Sequence, residues 1–113
     1  MPEQVDGSSV YVVDTLMFGI PEQTAAFVID ADRPAVIDTG LESDAERVVE
    51  AVDAVGIARE AVEYIVVTHV HLDHAGGIGT VAEAFPNATV VVHDRGVEYL
   101  VDELRAERLV EKV

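Results

Sequence analysis

The chain has 113 residues, half of them apolar, with 22 Asp plus Glu against seven Lys plus Arg and a net charge of −15. That length suits one domain with a modest core, and the apolar share excludes a disordered chain. The absence of cysteine excludes disulfides, thiolate metal sites and a cysteine nucleophile.

Met1 to Ser9 is polar, contains Gly7 and reads as a flexible start. Val10 to Met17 alternates as a half-buried strand does, and Gly19-Ile20-Pro21 breaks it. Thr24 to Ile29 and Pro34 to Ile37 are two further strands, and the short polar loop Asp30–Arg33 predicts that they pair as an antiparallel hairpin. Asp38-Thr39-Gly40 closes the third strand, where sites of layered α/β proteins gather, although Asp38 could equally be a turn-former. Ser43 and Glu46 then have capping-box spacing, with Ser43 as N-cap and Glu46 at N3. Ala45, Val48, Val49, Val52 and Val55 form the apolar face of the helix they open, and Gly56 ends it. Tyr64-Ile65-Val66-Val67 is a short β-branched strand, and a strand–helix–strand unit implies a right-handed crossover to a parallel neighbour.

Thr68-His69-Val70-His71-Leu72-Asp73-His74-Ala75-Gly76-Gly77 follows directly, with three of the four histidines inside six residues. On an extended segment His69 and His71 point the same way, about 6–7 Å apart, so two imidazoles can converge on one metal ion. Asp73 and His74 fall where the chain turns and suit a second ion, or a water held by the first. Imidazole with carboxylate and no thiolate fits zinc, iron or manganese, and an incomplete protein ligand set leaves room for water. Such an ion makes hydroxide available near neutral pH. The competing reading is a His-rich surface turn.

Ile78, Val81, Ala82 and Phe85 predict a second amphipathic helix stopped by Pro86. Thr89-Val90-Val91-Val92 is continuously apolar, as a parallel strand covered on both faces would be. His93 at its end is a candidate extra ligand, and equally a strand-end histidine without function. Asp94 is a cap candidate for a helix with Val97, Leu100, Val101 and Leu104 on one face. In the tail Leu104, Leu109, Val110 and Val113 share a helical spacing.

His-Val-His-Leu-Asp-His at 69–74, with Ala-Gly-Gly after it and Val36-Ile37-Asp38-Thr39-Gly40 before it, resembles the HxHxDH signature of the metallo-β-lactamase superfamily. It is nearest the superfamily's glyoxalase II-like hydrolases, over about Val10 to Asp102. The resemblance implies an α/β fold, the amino-terminal half of an αββα sandwich, with a mixed sheet carrying helices on one face. The whole sandwich is roughly twice this length. On this reading 1–113 is one partial domain with an atypical tail at 103–113. The resemblance further implies metal ligation by His69, His71, Asp73 and His74, with Asp38 and Thr68 as supporting residues, and a catalytic role for Asp73. The family pattern would add a further histidine, a bridging aspartate and a last histidine, and nothing after His93 fills those roles except surface carboxylates. The implied function is hydrolysis of an ester- or thioester-like bond by metal-bound hydroxide, with zinc (one or two ions) as cofactor and iron or manganese as alternatives. Two other functions are iron-dependent thiol or persulfide oxidation (or flavin-partnered redox chemistry), and a non-catalytic remnant or interaction module.

The partners expected are a small-molecule substrate and a second copy of the chain, a homodimer burying the open half-domain face. Nucleic acid is not expected, because the basic stripe that phosphate binding requires is missing. No basic leader and no apolar run of membrane length is present, which predicts a cytoplasmic protein without a membrane partner. The acidic residues are spread along the chain, and only one residue is lysine (Lys112). That pattern reads as halophilic adaptation to a salty solvent.

Overall fold

The computed structural model describes residues 2–15, 25–68 and 77–92 in full, and 110–112 by their backbone. Its strands are β1 (Glu3–Gln4), β2 (Val10–Asp14), β3 (Ala25–Ile29), β4 (Ala35–Ile37), β5 (Tyr64–Val67), β6 (Thr89–Val92) and β7 (Val110–Lys112). They form a mixed sheet whose spatial order is the chain order. β1 to β4 pair antiparallel as successive hairpins, and β4 to β7 pair parallel. Helices α1 (Ala45–Val55) and α2 (Ile78–Ala84) supply the crossovers between β4, β5 and β6. The chain is thus an α/β half-sandwich with its described helices on one face of the sheet.

Period-two alternation decides which side chains meet the helices. Val28, Val36, Ile65 and Val90 stand in register across four neighbouring strands, all fully buried. Val48, Val49 and Val52 of α1 lie on that row with Ile78 and Val81 of α2 and Phe85 just beyond it. Each such side chain contributes about 1.5–3 kcal/mol of transfer free energy before the cost of ordering it. α1 ends as expected at Gly56, whose φ of 94° is open to glycine at no steric cost. Its N–H reaches the Asp53 carbonyl at 3.1 Å, and Ile57 N–H reaches Val52 at 3.3 Å. Arg59 folds back onto Asp53 in a two-bonded pair of 3.2 and 2.8 Å, which holds the Asp53 carboxyl below its ordinary pKa. Both partners are exposed, so the pair steers the turn more than it stabilises it.

Four expectations are modified. The capping box is not formed: Ser43 lies in a 3₁₀ turn (Glu42–Asp44), and the residue before α1 is Asp44. Asp44 makes no side-chain cap: its Oδ1 accepts a 2.9 Å hydrogen bond from Arg47, which also donates to the Thr15 carbonyl at 3.1 Å, and its buried Oδ2 has no partner among the described residues. β6 is not covered on both faces by described residues, since Val90 and Val92 are buried while Thr89 and Val91 are half-buried. In the tail, Val110–Lys112 pairs with the edge of β6 rather than coiling. An unpaired strand edge offers a hydrogen-bonding ladder, and this outweighs both a weak helical pattern and the low strand preference of Glu111 and Lys112. In the segment expected to be loose, Glu3 and Gln4 pair with Val12 and Tyr11. No helix among the described residues is long and apolar enough to cross a membrane.

Candidate metal centre

β4 and β5 lie parallel, so both deliver their carboxyl ends to one edge of the sheet. Thr68, the last described residue before 69–76, lies at that edge. His69, His71, Asp73 and His74, the expected ligands, lie outside the described residues, as does His93. Among the described residues no three His, Asp or Glu side chains gather closely enough to hold a metal.

What the structure describes is the frame at the two ends of that loop. Asp38 extends β4 by one residue and donates its N–H to the Val66 carbonyl at 2.8 Å. Its φ of 65° then turns the chain into a left-handed conformation, which aspartate tolerates better than most residues. That turn aims the carboxylate across to β5, where Oδ1 accepts the Thr68 N–H at 2.9 Å. The Thr68 hydroxyl sits 2.9 and 2.7 Å from the two carboxylate oxygens. Asp38 is only 4% exposed while Thr68 is exposed, so these hydrogen bonds to a carboxylate lie part-buried at the edge of the sheet.

The two residues after Asp38 hold the other end. Gly77, where the loop re-enters the described structure, donates its N–H to the Gly40 carbonyl at 3.0 Å and to the Thr39 hydroxyl at 3.1 Å. The fully buried Thr39 hydroxyl donates in turn to the Gly40 carbonyl at 3.1 Å. Gly77 has to be glycine here, because a Cβ on it would lie 2.6 Å from the Ala45 Cβ at the start of α1. Gly40 has a φ of 71°, and a Cβ there would press on Thr15 at 3.1 Å.

Three consecutive residues therefore staple a ten-residue span: Asp38 at Thr68, Thr39 and Gly40 at Gly77. Asp38 and Thr68, expected from the sequence as supporting residues, are hydrogen-bonded to each other. Thr39 was overlooked. Its only sequence signal is a hydroxyl between an aspartate and a glycine at a strand end, a pattern shared by many ordinary turns.

This fold and frame define a class. A family model described as the metallo-beta-lactamase superfamily matches residues 5–112. The chain belongs to that superfamily. Among curated proteins it is similar to the N-acyl homoserine lactonase AttM of Azorhizobium caulinodans, at 48% identity over 54 residues, 48% of this chain and 19% of that protein. It is also similar to the uncharacterized protein YobT of Bacillus subtilis, at 31% identity over 68 residues, 60% of this chain and 28% of YobT. A solved B3 metallo-beta-lactamase with an active-site glutamic acid superposes with a TM-score of 0.73 at 31% identity, over 88% of this chain and 35% of that one. A metallo-beta-lactamase from Cronobacter sakazakii shares the fold with a TM-score of 0.74 over 100% of this chain and 44% of its own. The chain thus spans under a third of these curated relatives and under half of these solved structures.

Proposed function

We propose that this chain carries the metal-binding half of a hydrolase acting on an ester-like carbonyl, with the lactone ring of the named lactonase relatives as the first substrate to try and thioesters as the second. One observation carries the reading: the turn 38–40 grips both ends of the histidine loop, at Thr68 and at Gly77. A surface turn has no use for a buried carboxylate and a buried hydroxyl spent on its two ends.

The donor set fits a divalent ion of the zinc type. In this reading His69 and His71 hold a first ion, and Asp73 and His74 take part in a second position. When bound, the ion supplies a water that ionises near neutral pH and a positive charge beside the developing oxyanion. With such an ion held, Asp73 would be the carboxylate that orients the attacking water. Asp38 acts through Thr68, fixing where the first histidine leaves the strand. With two histidines at the first ion the set is one short of the three protein ligands usual for catalytic zinc, so a further donor comes from outside residues 69–74.

The test is ligand removal. His69→Ala and His71→Ala each abolish zinc uptake measured by elemental analysis, while circular dichroism stays that of the parent. Full metal stoichiometry in both variants refutes the assignment. Elemental analysis of natively purified protein separates zinc from iron, and so hydrolysis from thiol or persulfide oxidation. A second reading is a non-catalytic module. It predicts no stoichiometric metal, and no turnover of lactone or thioester.

A further inference from the structure

Beside the turn 38–40 lies a second buried carboxylate. Asp44 is 4% exposed, and its Oδ2 has no hydrogen-bond partner among the described residues. A carboxylate just before a helix ordinarily caps it by accepting an N–H of the first turn. Asp44 does not, and its φ of −105° and ψ of −7° continue the 3₁₀ turn instead of the extended backbone usual for a cap. A buried acceptor left bare is a cost to the fold. Departures of this kind from local rules gather where a structure serves more than its own stability.

What Asp44 holds is Arg47. Both hydrogen bonds of that side chain leave from Nη1, at 2.9 Å to Asp44 Oδ1 and at 3.1 Å to the Thr15 carbonyl. This nitrogen carries two protons, so Asp44 orients the same group that grips Thr15. β2 is antiparallel to β3 and β3 to β4, so Thr15, just past β2, lies at the same sheet edge as Asp38 and Thr68. Thr15 is fully buried, and its Cγ2 and Cβ lie 3.1 and 3.2 Å from where a Cβ on Gly40 would stand. Gly40 in turn accepts the Gly77 N–H at 3.0 Å. A continuous path therefore runs from Asp44 through Arg47, Thr15 and Gly40 to Gly77.

We propose that Arg47 is a positioning residue: by fixing Thr15 against Gly40 it sets where the Gly40 carbonyl stands, and so where Gly77 closes the histidine loop. The two ends of that loop differ in what they need. Thr68 is held by three hydrogen bonds to one carboxylate, whereas Gly77 offers a single N–H shared between Gly40 and Thr39. Gly40 is itself the residue type with the widest backbone freedom, so its carbonyl is only as fixed as what packs behind it. The inference rests on the metal-binding reading for its purpose, while the path to Gly77 is independent of it.

Two substitutions of Arg47 in the full chain decide it. Arg47→Met keeps an apolar stem and removes the donors, and Arg47→Lys returns a positive nitrogen one atom short. Cobalt(II) titration reads the loop through its visible absorption, and amide hydrogen exchange by NMR reads Gly77 and Thr68 separately. Arg47→Met should bind cobalt about three- to tenfold more weakly, less than the loss of a direct partner of a ligand would cause, and with an altered visible band. Its Gly77 amide should exchange about tenfold faster while Thr68, held by Asp38, keeps the parent rate; a loss of global stability alone would speed both alike. Arg47→Lys should recover most of both changes. Val52→Ala, which truncates a buried residue of α1 outside the path, should unfold earlier in urea yet bind cobalt as the parent does.

Parent-like cobalt binding and Gly77 exchange in Arg47→Met overturn the inference and leave the metal reading standing. Equal acceleration of both amides also overturns it, as does an equal loss of affinity in Val52→Ala. A parent that takes up no cobalt removes the metal reading, and the Gly77 rate in the metal-free chain then decides the path by itself. If Arg47→Met does not fold, Thr15→Ser deletes the Cγ2 that backs Gly40, and unchanged Gly77 exchange there overturns the path.

Discussion

Replacing Asp38 separates the staple from ordinary turn chemistry. Asp38→Ala removes the acceptors of the Thr68 N–H and hydroxyl, at 2.7 to 2.9 Å. Hydrogen bonds to a charged group contribute about 1.5–3 kcal/mol. It also leaves an ordinary side chain at a φ of 65°, which costs about 1–2 kcal/mol. Thr68 is exposed, so water can satisfy its freed donors, and this draws the total toward about 3 kcal/mol. Against a domain stability of about 5–15 kcal/mol, such a loss is readily seen in urea unfolding. Asp38→Gly removes the backbone penalty and keeps the lost hydrogen bonds, so it should unfold less readily than Asp38→Ala by about 1 kcal/mol. Asp38→Asn tolerates the turn and keeps one oxygen for Thr68, and should be the mildest of the three. The functional readout is zinc competition with a chromophoric chelator: folded Asp38→Gly should bind zinc about 10- to 100-fold more weakly, as happens when the outer partners of metal ligands are lost. A folded Asp38→Gly protein that binds zinc as the parent does would refute the link between turn and metal loop.

Gly77→Ala brings a methyl group to 2.6 Å from the Ala45 Cβ, and overpacking of this kind costs about 1–3 kcal/mol. Ala45→Gly in the same chain should recover part of the loss in a thermal melt. Recovery by Ala45→Gly is expected to be specific, since a distant change should simply add. Stability should also rise from low to molar salt as the repulsion among the acidic side chains is screened. A melting temperature insensitive to salt would remove the halophilic reading.

Where the sequence was legible, it was so for local reasons. The β3–β4 hairpin follows from a short polar loop between two apolar runs, and the parallel β4–β5 pair follows from a helix-length connection. Gly56 closes α1 because no other residue sits at its φ without strain. α2 stops before Pro86 as the pattern said it would, with Phe85, expected on its apolar face, as the C-cap. The capping box shows the opposite. Ser43 and Glu46 have the right spacing, but Arg47 engages Asp44 and Thr15 and the helix starts after a 3₁₀ turn. Arg47 is only three residues from Asp44, but the Thr15 carbonyl that also holds its guanidinium lies 32 positions away along the chain, where no window on the local sequence finds it.

The amino-acid sequence by itself determined the superfamily and the run of elements from β2 to β6 with the two helices between them. Both are written in side-chain identity and short-range periodicity. Tertiary structure decided that Asp38, Thr39 and Gly40 hold both ends of the histidine loop. The grip spans 30 residues to Thr68 and 38 from Thr39 to Gly77, and it exists only because a parallel β4–β5 pair brings the two strand ends to one edge. It decided as well which half of each apolar strand met the helices. A continuous run such as Thr89-Val90-Val91-Val92 offers both faces equally, and only the placement of α1 and α2 breaks the tie.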